Sequence, residues 1–286
     1  MEDKRLIDIF DEQVKTIPQL LYTDILYAGD KPATHFVEAG EQRTLTYNDL
    51  VFRVECLATS LIRLGFQEGD RIATMPPISL RWVLADLAIV CAGAISVSIV
   101  DILKRDQLVA LLKDSASRAV VLPNASDALL LMEVFDTLPD LDYVFCLQKG
   151  FRGDGKTYFG LGELYHWGEQ YHDEVAAELK QRMDEIQSHH LATIVYVESK
   201  PGKQHMAFHS HGKLLSTSTQ ALRYFSCLAG SSRNEELKKM ATIPVHQIMG
   251  KLPDYFWPLI VGASIDFTGE QRIVKGDSEV ISVFGT

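Results

Sequence analysis

Residues 191–214 read LATIVYVESKPGKQHMAFHSHGKL, and this stretch decides the fold class that we expect for the chain. It begins with an apolar run that fits a buried strand. It continues through a turn containing Gly202 and a second short apolar run, and reaches Ser210-His211 at the start of a helix. This order is the layout of a loop that wraps nucleotide phosphates, because backbone N–H groups in such a turn can converge on an anion. The segment therefore predicts an α/β unit with a candidate phosphate site.

The rest of the chain alternates between the apolar periodicities of helices and strands. The predicted helices cover residues 6–17, 46–64, 80–91, 106–113, 126–137, 163–186, 212–228 and 255–261. The predicted strands cover residues 33–38 and 43–45 as a hairpin, then 71–75, 94–100, 119–122, 143–147, 240–243, 263–267 and 279–284. Thr46 and Asp49 form a capping-box pattern at the start of one helix, and Gly65 ends it. The alternation predicts a mainly parallel sheet with helices on its faces.

Composition excludes several classes of function. The net charge of -10 argues against nucleic acid as a partner, since phosphate backbones need a basic surface. The four cysteines are scattered without a C-x-x-C pair, which predicts reduced core thiols and no structural zinc. No apolar run approaches the ~20 residues of a membrane span, and the charged N-terminus lacks the apolar core of a secretion signal. We therefore expect a cytoplasmic protein without a transmembrane segment.

Several motifs follow one another in a fixed order. Leu45-Thr46-Tyr47-Asn48-Asp49-Leu50 precedes Gly69-Asp70-Arg71-Ile72-Ala73, and WVLADLAIVCAGA follows at residues 82–94. In order and spacing these segments resemble the AMP-forming acyl-CoA synthetases of the long-chain type, in the adenylate-forming superfamily. The resemblance covers essentially the whole chain, but family members are roughly twice as long. It implies a first α/β subdomain over residues 1–188, a partial second one over 189–286, and no C-terminal catalytic subdomain.

The phosphate loop of that family resembles Y-T-S-G-T-T-G-x-P-K-G, and this chain matches it only in part. Tyr196 and Gly202 match, whereas Val-Glu-Ser-Lys-Pro at 197–201 and Gln-His-Met at 204–206 replace the small and basic residues. Glu198 brings a carboxylate to a phosphate site, and two like charges ~4 Å apart repel by about 4 kcal/mol at an effective dielectric of ~20. The resemblance leaves a degenerate set of cofactor-binding candidates: Tyr196, Ser199, Lys200, Gly202 and His205.

A candidate substrate pocket follows from the same resemblance. Ser210-His211 fits the family's Ser-His after the loop, although the pair also fits a helix N-cap and first-turn residue. IPVHQIMG at 243–250 resembles LPLxHxxG, whose histidine lines the acyl and adenylate pocket. Gln247 occupies that position, and His246 stands one residue early, which is about 100° of rotation on a helix. The predicted pocket residues are Ser210, His211, His246, Gln247 and Gly250, and neither a catalytic residue nor a metal ligand is predicted.

The resemblance implies an ancestral reaction in which ATP, fatty acid and CoA give acyl-CoA, AMP and pyrophosphate. Because of the loop substitutions, we expect a degenerate homologue that is not competent alone and acts as a binding or regulatory module. No cofactor is expected, and ATP, Mg and CoA would bind only if the family activity persists. Two alternatives stay open: an active ligase completed by a partner chain, and a fatty-acyl or CoA binder that does not use ATP. A homodimer or a partner protein is also expected, because an open sheet edge and apolar surface would remain uncovered.

Overall fold

The computed structural model describes residues 14–99, 104–200, 203–228, 256–268, 273–276 and 279–282. Within them the helices are α1 (Ile17–Ala28), α2 (Tyr47–Arg63), α3 (Leu80–Cys91), α4 (Arg105–Ser115), α5 (Ala125–Met132), α6 (Leu161–Glu185), α7 (His211–Leu228) and α8 (Trp257–Val261). A 3-10 turn covers Phe135–Thr137. The strands are β1 (Pro32–Glu38), β2 (Glu41–Thr46), β3 (Arg71–Thr74), β4 (Ile95–Ser98), β5 (Ala119–Leu122), β6 (Tyr143–Cys146), β7 (Tyr158–Gly160), β8 (Leu191–Lys200), β9 (Lys203–Ser210), β10 (Ser264–Phe267), β11 (Ile273–Gly276) and β12 (Glu279–Ser282).

The chain divides into two compact units that do not follow chain order. One unit contains the residues up to 51 and those from 210 onward, together with 187–189. The other contains residues 52–186 and 190–209. The predicted domains, 1–188 and 189–286, divide the chain in sequence order, and that division stays a prediction.

The first unit is built on a sheet whose described strands lie in the order β12-β11-β10-β1-β2. β1 and β2 form the predicted hairpin, with positive φ at both Ala39 and Gly40, as a tight two-residue hairpin turn requires. β1 also pairs in parallel with β10, so that Thr34 lies beside Ile265. β10, β11 and β12 pair antiparallel in sequence.

The second unit is built on a sheet whose described strands lie in the order β7-β6-β5-β3-β4-β8-β9. Every pair from β7 through to β8 is parallel. Only two residues separate β8 from β9, a connection that can join only antiparallel strands. Helices connect the parallel strands except β6 and β7, which a loop joins. The central strands are buried on both faces, as their runs of Val, Ile and Ala indicate. The predicted α/β fold, with a mainly parallel sheet flanked by helices, is confirmed.

The signals at the ends of α2 act as predicted. The Thr46 N–H donates to Asp49 Oδ2 at 2.9 Å, and the Asp49 N–H donates to Thr46 Oγ1 at 3.1 Å, which is a reciprocal capping box. At the other end Gly65 has a φ of +84° and donates to Ile62 O, while the Phe66 N–H donates to Leu61 O. This pair of bonds is a Schellman motif, which ends the helix and buries Phe66.

Some predicted elements are wrong in their bounds. The predicted helix at 126–137 ends at Met132, and a separate 3-10 turn follows. The predicted connection at 150–162 contains the short strand β7, which pairs with β6.

α1 was not predicted, although the sequence contains signals for its start. The Thr16 N–H donates to Gln19 Oε1, the Gln19 N–H donates to Thr16 Oγ1, and Pro18 lies in the first turn. The predicted strand at 240–243 and nearly all of the predicted helix at 6–17 lie outside the described residues.

α2 and α6 approach each other closely in the second unit. A Cβ placed on Gly168 would lie 1.7 Å from the carbonyl oxygen of Cys56 and 2.7 Å from Ser60 Oγ. Ser60 Oγ donates to the carbonyl oxygen of Leu164, one turn before Gly168. Only a glycine allows this approach, so α6 is fixed against α2 at backbone distance.

A compact loop leads into β7 and depends on Asp154. The carboxylate oxygen Oδ1 accepts the backbone N–H groups of Lys156, Thr157 and Tyr158 at 2.9, 2.8 and 2.8 Å. Desolvation raises the pKa of this carboxyl, but the backbone donors outweigh it and hold the pKa below its ordinary value of 3.8.

The lowered pKa of Asp154 predicts a pH-dependent contribution to stability. A carboxyl with a lowered folded-state pKa stabilises the fold above its unfolded pKa, and this contribution is lost as pH falls through the folded-state pKa. Asp154→Asn should therefore cost below ~1 kcal/mol at neutral pH, given the exposure of the group, and nothing at strongly acid pH. Chemical denaturation between neutral and acid pH checks this, with Asp140→Asn as an exposed control that should leave the profile unchanged.

Candidate functional site

The segment predicted to wrap phosphates contains two neighbouring strands, β8 and β9. β8 runs to Lys200 and β9 starts at Lys203, so that only residues 201 and 202 separate the strands. In a strand successive N–H groups point to opposite sides, whereas a phosphate cradle needs them to point to one place. The backbone from Glu198 to Lys200 is therefore arranged as part of a ladder and not as an anion cradle.

Tyr196 is the one cofactor-binding candidate whose side chain makes a defined contact among the described residues. It is 5% exposed, and its hydroxyl donates to Asp114 Oδ2 in the last turn of α4 at 2.8 Å. Burial and the bond to Asp114 raise the pKa of Tyr196, so the phenol stays protonated as a donor. Tyr196 thus ties the base of the hairpin to α4 in the second unit.

The other cofactor-binding candidates follow Tyr196 in the sequence of the hairpin. Ser199 and Lys200 lie on β8, and His205 is exposed on β9. Gly202 lies outside the described residues. Their predicted role toward a cofactor stays a prediction.

A group of buried polar side chains connects β8 to β4 and α3. Thr193 Oγ1 donates to the carbonyl oxygen of Ser96 at 2.7 Å and lies 3.5 Å from Ser98 Oγ. Ser96 Oγ donates in turn to the carboxylate of Asp86 on α3. All four residues are buried. These bonds add to the parallel ladder between β4 and β8 and hold β8 in register with the sheet.

Ser210 and His211, the first two candidates for the substrate pocket, have structural contacts in the first unit. Ser210 Oγ accepts the Lys213 N–H at 3.2 Å and so caps α7. His211 is 2% exposed, and its Nδ1 accepts the N–H of Ile17, the first residue of α1, at 3.2 Å. The Gly212 N–H donates to Ser188 O at 2.8 Å. The pair therefore fixes where α7 starts and what it packs against.

His246, Gln247 and Gly250 lie outside the described residues. Whether they line a pocket with Ser210 and His211 stays a prediction.

A small cleft lies beside α7 in the first unit. It has a volume of about 60 Å³, and its walls include Lys15, Leu215, Ser216, Thr219 and Ile260. Pockets for organic ligands usually have at least ~300 Å³. The described part of this cleft is therefore too small for an acyl chain or a nucleotide.

Several motif residues have structural roles that the sequence did not reveal. Tyr47 of the Leu45–Leu50 motif is fully buried, and its hydroxyl donates to Ala263 O at 2.8 Å, next to β10. Asp70 accepts the Gln67 N–H at 2.7 Å and pairs with Arg118, which also pairs with Asp142 at 2.7 Å. The spacing of the motifs could not show Ala263 and Arg118 as partners, since they come from distant parts of the chain.

Chemistry based on thiols or metal ions has little support in the described residues. Cys56, Cys91 and Cys146 are buried and free of disulfides. Burial, with smaller effects of Glu169 and Glu55, raises the pKa of Cys56 to about 12, which leaves its thiol unreactive at neutral pH. Within the described ranges, no group of three or more His, Cys, Asp or Glu side chains could hold a metal ion. In the same ranges, no helix is long and apolar enough to span a membrane.

Comparison with known proteins decides the family. The family model of the AMP-binding enzymes matches residues 26–279. The chain belongs to the AMP-binding enzyme family.

Relatives in this family include acyl-CoA ligases that are much longer. A long-chain-fatty-acid–CoA ligase of Mycobacterium bovis is 27% identical over 151 residues, which are 53% of this chain and 24% of the relative. A long-chain-fatty-acid–CoA ligase of Gallus gallus is 19% identical over 266 residues, which are 93% of this chain and 34% of the relative. The chain thus spans about a third or less of the length of these AMP-binding relatives.

Solved structures show the same fold. The fatty acyl-adenylate ligase from L. pneumophila, in complex with acyl adenylate and pyrophosphate, aligns with a TM-score of 0.61 at 16% identity. The alignment covers 91% of this chain and 40% of that one. This likeness shows that the present member of the AMP-binding family shares the fold.

Proposed function

We propose that this member of the AMP-binding family does not adenylate an acid on its own and serves as a binding or regulatory module. The observation that carries the proposal is that β8 extends to Lys200 and β9 starts at Lys203, at the position of the phosphate loop. A nucleotide-binding turn needs several free N–H groups on one side, and here two residues separate the strands.

The charges of the segment favour the same conclusion. Glu198 adds a carboxylate, and a repulsion of about 4 kcal/mol corresponds to roughly a thousandfold in affinity. Pro201 removes a backbone donor from the turn. Lys200 offers one positive charge, but at a position other than the family's lysine, where this chain has His205. We therefore expect the β- and γ-phosphates of ATP to bind weakly.

The relatives suggest which small molecule the module would bind. The ligases described above act on long-chain fatty acids and CoA, as their names state. We propose a fatty-acyl or CoA-like molecule as the ligand and a cytoplasmic location. ATP and Mg would bind only if the family activity persists.

Calorimetry with Mg·ATP tests the proposal directly. Titration of the chain is expected to give only the heat of dilution up to about 1 mM ATP, and fatty acid should not stimulate exchange between ATP and pyrophosphate. Micromolar binding would contradict the proposal and would favour the alternative, an acyl-activating ligase completed by a partner chain.

A thermal-shift series tests the ligand. A molecule that binds the folded state alone stabilises it by about 2.7 kcal/mol at a hundred times its dissociation constant, so fatty acids or CoA should raise the unfolding temperature without ATP. If neither ligand class shifts the transition, the small-molecule part of the proposal is wrong, and a purely regulatory role remains.

A further inference from the structure

We draw no further inference here: the strongest candidate, the exposed apolar patch that Leu129, Leu130 and Met132 form on α5, carries none because nothing in the described residues shows what covers it.

Discussion

Gly168→Ala is expected to destabilise the chain by about 3–5 kcal/mol, near the upper end of single substitutions. The new Cβ would lie 1.7 Å from the Cys56 carbonyl oxygen, and real Cβ atoms essentially never come within 3.0 Å of another heavy atom. Because the obstacle is the backbone of α2, no side-chain rotation can relieve it, and the two helices must separate. The measurement is the free energy of unfolding from urea denaturation.

The same helix supplies the control. Gly162 lies near the start of α6, and a Cβ there would meet no atom within 4 Å. Gly162→Ala should therefore stabilise the chain slightly, by about 0.5 kcal/mol, because alanine has the higher helix propensity. Opposite signs for the two substitutions are expected. A cost for Gly168→Ala below 1 kcal/mol, which is under the usual range for overpacking, would mean that α2 and α6 are not at backbone distance.

His211→Ala is expected to cost about 2–4 kcal/mol of stability, because it combines two losses. It leaves the buried Ile17 N–H without its acceptor, which costs about 1–3 kcal/mol. It also leaves a cavity in place of a side chain that is 2% exposed. Hydrogen exchange should show the loss in α1 as well as in α7, since the bond joins these two helices.

His211→Asn separates the two losses, that of the hydrogen-bond acceptor and that of the side-chain volume. Asn offers a side-chain oxygen that can accept the Ile17 N–H, so His211→Asn should recover part of the loss. His205→Ala is the exposed control and should stay within ±0.5 kcal/mol. If His211→Ala unfolds at the same denaturant concentration as His205→Ala, then His211 does not anchor α1.

Local structure could be predicted from the sequence where the deciding contacts are local. In the capping box, Thr46 and Asp49 are three residues apart, and the bonds that end α2 join residues at most five positions apart, so the local pattern contains all the partners. The N-cap alternative for Ser210 is confirmed for the same reason. β11 has only two strongly apolar residues, too few for periodicity to reveal a strand.

Long-range pairing could not be predicted from such patterns. Apolar alternation identifies β1 and β10 as strands, but says nothing about which strands become neighbours. Tyr47 bonds to Ala263 and His211 bonds to Ile17, and both partners lie far away in the sequence. Because the sequence does not show these partners, His211 could be predicted as a pocket residue. For the phosphate segment, the order of strand, turn, strand and helix could be predicted from the sequence. The extension of β8 to Lys200 could not, because it depends on hydrogen bonds between strands.

The parallel pairing of β1 with β10 also orders events during synthesis. Thr34 cannot meet Ile265 until roughly 230 further residues have left the ribosome, which at ~5–20 residues per second takes roughly 10–50 s. The second unit takes nearly all its residues from the intervening chain and can fold during that interval. The β1–β2 hairpin meanwhile exposes a strand edge without its final neighbour. Closing a loop this long is slow, so formation of the β1–β10 pair is expected to limit the folding rate.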